Sequence, residues 1–157
     1  MTRTALGLIA GMLLAATGVA ATPDDTMKPI RQFIDGFNSG ETRSAYAAYA
    51  GVDIAIVDEF APHLWTGHTA PQKWAADYMK HAAANAVTDG SVKYGEPTRT
   101  EADGKRAYVV LPTVYTYKDH GKPMVEDGQM TFVLRSASSG WKIRAWTWTG
   151  TVPHAAK

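Results

Sequence analysis

The sequence predicts an α+β domain in which three helices pack on the concave face of a curved antiparallel sheet and enclose a conical hollow. Three observations predict it. Helical apolar spacing is confined to the part of the chain before Asn85. After Asp89-Gly90 the pattern changes to strands divided by Asp103-Gly104, Asp119-His120-Gly121 and Ser138-Ser139-Gly140. The order is helix, helix, strand, short strand, helix, then four long strands, with no repeat and no linker. In a chain of 157 residues that order suits one domain.

The first helix is capped by Asp24, Asp25 or Thr26, with Pro29 tolerated in its first turn. Met27, Ile30, Phe33, Ile34 and Phe37 recur at helical spacing, and Asn38-Ser39-Gly40 ends the run. A short second helix spans about Thr42 to Tyr49, and Gly51 breaks it. Val52 to Val57 reads as a strand, Asp58 to Pro62 turns the chain, and His63-Leu64-Trp65 forms a short return strand. Thr69 caps the third helix with Pro71 just inside, and the apolar stripe is Trp74, Ala75, Tyr78 and Ala82. Ser91 to Glu101 is expected as one strand, bulged or at an edge at Pro97. Arg106 to Lys118 follows, with Ala107, Val109, Leu111, Thr113 and Tyr115 on one face. A strand to about Arg135 and a last one from Trp141 to Thr149 complete the sheet. Tyr108 and Trp148 are assigned to its outer face.

Composition removes several function classes. Sixteen basic and fifteen acidic side chains give a net charge of +1. That is no footprint for nucleic acid, which needs clustered Lys and Arg. With no cysteine, disulfide scaffolds, thiolate zinc sites and cysteine nucleophiles are excluded. No nucleophile elbow, phosphate loop or dinucleotide fingerprint is present, so no cofactor is expected. Residues 1–21 read as a secretory signal: Arg3, then an apolar run from Ala5 to Ala16, then small residues ending at Ala21. The run is shorter than a membrane-spanning helix requires. The expected product is a periplasmic or secreted domain over 22–157, with no membrane attachment after cleavage.

Four segments resemble the nuclear transport factor 2-like (NTF2-like) superfamily, and within it the branch of SnoaL-like cyclases and ketosteroid isomerases. They are Phe37-Asn38-Ser39-Gly40-Glu41, Ala55-Ile56-Val57-Asp58-Glu59, Trp65-Thr66-Gly67-His68-Thr69-Ala70 and Trp141-Lys142-Ile143-Arg144-Ala145-Trp146. The resemblance implies an NTF2-like cone and three polar groups in its hollow. An aspartate base nine residues before the helix-opening glycine falls on Asp58. A tyrosine five residues before the family's Asn falls on Phe33, which cannot donate a hydrogen bond. An acid donor on the penultimate strand falls in Asp127-Gly128-Gln129-Met130. Loss of one such donor costs about 10²–10³ in rate, which disfavours steroid isomerisation by that route. A dimer formed through the sheet is the family habit.

Asp58 and His63 are the candidate catalytic residues, as a carboxylate base and a polar partner. Tyr46, Tyr49, Trp65, Trp74, Tyr78, Tyr115 and Trp146 are the candidate ligand-binding residues, because they come from the elements that line the hollow. Aromatic walls with a few polar groups suit a small apolar or aromatic molecule. His81 is expected on the surface or satisfied in the core. No metal site is expected, because no His/Glu cluster has ligand spacing. Three readings stay open: a small-molecule binding protein, a cofactor-independent isomerase, cyclase or dehydratase using Asp58, and a dimeric interaction module without ligand.

Overall fold

The computed structural model describes residues 23–157, so the secretory signal expected over 1–21 lies outside the described residues. The elements are α1 (Pro23–Ser39), α2 (Thr42–Ala47), β1 (Ala55–Val57), β2 (Leu64–Thr66), α3 (Ala70–Ala84), β3 (Val87–Tyr94), β4 (Arg99–Ala102), β5 (Arg106–Asp119), β6 (Lys122–Ala137), β7 (Gly140–Gly150) and β8 (His154–Ala155). Among the described residues no helix is long and apolar enough to cross a membrane.

Among the described residues eight strands form one sheet in the order β2-β1-β7-β6-β5-β3, with β4 also paired to β5 and β8 to β6. Long β5 and β6 make its centre, paired continuously from Arg106↔Arg135 to Asp119↔Lys122. The hairpin between them turns on His120 and Gly121, both at positive φ. That left-handed pair matches the twist of the flanking strands. The helices cover the concave face. Their apolar stripe (Met27, Ile30, Phe33, Ile34) meets Val109, Leu111, Phe132, Leu134, Ile143 and Trp146 in a single core. Complete burial of side chains such as Ile30 and Phe132 stabilises by roughly 1.5–3 kcal/mol each.

Four details differ from the sequence expectation. Helix α1 begins at Pro23, so Asp24 and Asp25 stand in its first turn, paired with Arg31 and Lys28. Pro29 lies inside the helix rather than in its first turn. Strand β1 pairs with β7 in parallel, which the antiparallel expectation omitted. The stretch from Ser91 to Glu101 is two strands, β3 and β4, because Gly95-Glu96-Pro97 interrupts the ladder while both halves still pair with β5.

Local chemistry ties these elements together. Asn38, at the end of α1, clamps the backbone of β3. Its side-chain Nδ2 donates to the Val92 carbonyl at 2.8 Å, and its Oδ1 accepts from the Val92 amide at 2.8 Å. Buried Gly36 lets α2 close on α1, since a Cβ there would lie 2.9 Å from the Ala45 amide nitrogen.

Candidate functional site

Inside the wide end of the cone is a hollow of about 400 Å³. Its apolar wall is aromatic, with Phe33, Trp74, Trp146 and Trp148 prominent. Its polar groups are Asp58, Glu59, His81, Glu126 and the phenols of Tyr78, Tyr115 and Tyr117. A second hollow of about 470 Å³ lies between α1, α2 and α3, and shares Phe33, Phe37, Trp74 and Tyr78 with the first.

Asp58 follows directly on β1. Its Oδ2 accepts from the Trp74 indole at 2.8 Å, and its Oδ1 accepts from the Glu59 amide at 2.8 Å. Burial raises its pKa from the usual aspartate value, and those two donors oppose the rise. Glu126 projects inward from β6 and is 1% exposed. The Trp148 indole on β7 donates to its Oε1 at 3.0 Å. Glu59 lines the same hollow as Glu126 and Trp148. Burial, then the charge of Glu126 and the hydrogen bond to it, push the Glu59 carboxyl up to about 7.

The opposite wall holds a phenol pair, with the Tyr78 and Tyr115 hydroxyls 2.7 Å apart. Burial raises the pKa of both. Tyr78 stacks on Trp74, with centroids 5.9 Å apart and planes at 24°. Trp74 meets Trp146 edge to face at 5.1 Å. Glycines make room for this arrangement. A Cβ at Gly90 would collide with the Tyr78 hydroxyl, one at Gly150 with Glu126 Oε1, and one at Gly128 would lie 2.7 Å from the Trp148 ring.

The structure thus places Asp58, Trp74, Tyr78, Tyr115 and Trp146 at one hollow. Tyr46 and Tyr49 line the second hollow instead, and the buried Tyr49 hydroxyl accepts from the Trp146 indole at 2.8 Å. His63 and Trp65 line neither. His63 is exposed at positive φ, and its carbonyl accepts from the Asp58 amide, closing the β1–β2 turn. Trp65 is buried on the far side of α3, donating to Asp77 at 3.0 Å and packing on Phe60.

Sequence reasoning missed Glu59, His81, Glu126 and Trp148. Glu126 was one residue from the stretch that the family pattern indicated. The alternation Glu126, Gly128, Met130, Phe132, Leu134 was the signal for it, because inward Met130, Phe132 and Leu134 carry Glu126 with them. The same period turns Trp148 inward beside Trp146, correcting its assignment to the outer face. His81 faces the hollow and stacks on Phe60 at 5.2 Å. Among the described residues no three His, Cys, Asp or Glu side chains are placed to hold a metal ion.

No model of a known protein family matches the chain, and no curated protein matches it. Solved structures do. A ketosteroid isomerase-like protein from Erwinia carotovora atroseptica superposes with a TM-score of 0.60 at 18% identity, over 81% of this chain and 94% of that one. An NTF2-like superfamily protein from Salmonella enterica gives 0.66 at 13% identity, over 86% and 92%. A type 2 hexachlorocyclohexane dehydrochlorinase gives 0.68 at 8% identity, over 85% and 88%. With three helices on the concave face of a curved eight-stranded sheet, and with these structural neighbours, the chain has the fold of the NTF2-like superfamily.

Proposed function

We propose that this protein binds a small, largely apolar or aromatic molecule inside the cone, in the periplasm or outside the cell, with no metal or cofactor. The observation that carries the reading is the hollow itself. Its volume of about 400 Å³ and its aromatic wall with few polar groups match small-molecule sites in general. Two similar structures are named for small-molecule chemistry, a ketosteroid isomerase-like protein and a hexachlorocyclohexane dehydrochlorinase, which fits such a ligand. Pairing of two copies through the outer face of β5–β7, where Tyr108 stays exposed, belongs to the same proposal.

Trp74, Trp146 and Trp148 line the hollow, so an occupant must change their emission. Titration with 4-nitroanisole, an uncharged aromatic quencher, is expected to reduce tryptophan fluorescence to a saturable limit. A purely collisional, non-saturating response sinks the reading.

One arrangement favours proton transfer as the use of that binding. Asp58 and Glu59 both hold their protons more tightly than ordinary carboxyls do, on one edge of an apolar hollow. In this reading Asp58 takes a proton from a carbon beside a carbonyl. Glu59 returns a proton to the oxygen or to a leaving group. The outcome is isomerase, cyclase or dehydratase chemistry. Asp58→Asn should then cut turnover by about 10²-fold or more while leaving 4-nitroanisole binding intact. Unchanged turnover in that variant removes Asp58 from the role.

A further inference from the structure

The hollow is one-sided in charge. Among the described residues Asp58, Glu59 and Glu126 line it, no Lys or Arg does, and His81 is its one imidazole. A carboxylate taken out of water needs a counter-charge or donors, because an uncompensated buried charge costs several kcal/mol. The Trp74 and Trp148 indoles give Asp58 and Glu126 one neutral donor each. Among the described residues no Lys or Arg completes the set.

The rings argue the same way independently. The faces and edges of Trp74, Tyr78, Tyr115, Trp146 and Trp148 surround the same space, and ring faces attract cations with or without nearby acids. Neither feature suits a metal. Among the described residues no three acid or imidazole groups converge on a metal site, and the hollow has room for a two-ring organic molecule.

We infer that the hollow recognises a protonated apolar amine, with the ammonium seated against Glu126 and Glu59 and the carbon body among the tryptophans. The inference rests on the binding reading above and narrows it from any small apolar molecule to a cationic one. The ammonium supplies the counter-charge that the lining lacks, through charge-assisted N–H···O bonds roughly twice as strong as neutral ones. Phe33, Ile34 and Met130 offer the body an apolar wall. An anionic ligand of the same shape meets three acids and is repelled.

Calorimetric titration near neutral pH with three probes of one shape tests this: 2-naphthylmethylamine, 2-naphthylmethanol and 2-naphthoate. The amine is expected to bind at least about tenfold more tightly than the alcohol, and the carboxylate to give no binding heat. Glu126→Gln should erase most of the amine's advantage and keep the alcohol's affinity within about twofold. Glu59→Gln, at an exposed position where folding is not at risk, should reduce the advantage in the same direction. Equal affinity of amine and alcohol for the unaltered protein overturns the inference and leaves the binding reading standing. Retention of the full advantage in both variants overturns the assignment of the two acids. Absence of heat from all three probes overturns the inference together with the binding reading.

Discussion

Glu126 is the residue on which the interior chemistry turns, and its position depends on an absence of side chain elsewhere. It is 1% exposed and held by the Trp148 indole. The space its carboxylate occupies exists because residue 150 has no Cβ. Gly150→Ala would set a methyl group on Glu126 Oε1, so the carboxylate or the end of β7 must move. Forcing extra volume into a packed interior costs about 1–3 kcal/mol. Urea unfolding should show a loss of that size in Gly150→Ala. The variant's tryptophan emission should also shift, since Trp148 loses its acceptor. No change in either measurement contradicts the packing described. Gly90 and Gly128 clear space in the same way for the phenol pair and the Trp148 ring.

At the scale of elements, Asn38 ties the end of α1 to β3. Its two bonds to the Val92 backbone reproduce the pairing that a neighbouring strand would offer. The site is exposed, so water can replace part of what is lost. Asn38→Ala should therefore cost about 1–2 kcal/mol in thermal or urea unfolding, near the upper range for paired backbone hydrogen bonds at a wet surface. Asn38→Asp keeps only the acceptor and should fall between the two. Equal stability of all three proteins would remove Asn38 as a clamp. The sequence made this element legible only in part. Phe37-Asn38-Ser39-Gly40 marked the helix end, but Val92, 54 positions away, is brought to Asn38 by the sheet. The break between β3 and β4 was likewise visible as Pro97. Its consequence, two strands on one partner, depended on the length of β5.

For the whole molecule, burying acids in the hollow couples folding to pH. Folded Glu59 keeps its proton up to about 7, whereas an ordinary glutamate releases it near 4.5. Between those values the folded state binds more protons than the unfolded chain, so stability is fully present below the window and falls as pH rises through it. Burial shifts Asp58 in the same direction. Glu59 is exposed, so solvent screening keeps the effect small. The urea midpoint should decline between about pH 5 and pH 7.5, and Glu59→Gln should flatten that decline. A midpoint that climbs across this range, or an identical slope in the variant, would contradict the pairing with Glu126.

The sequence by itself determined the α+β class, the order of its helices and main strands, the hairpin turns between the long strands, and the presence of Asp58 at a strand end. Those follow from local rules, namely apolar period, capping and turn chemistry, each acting within a few residues. Only the tertiary structure decided which side chains share the hollow. It turned His63 and Trp65 away, divided the tyrosines between two spaces, and gathered Glu59, Glu126, His81 and Trp148 around Asp58. The physical reason is register. A shift of one position along a strand exchanges its two faces, and the pairing of β5, β6 and β7, with a bulge between Val133 and Leu134, fixes that choice through contacts far apart in the chain.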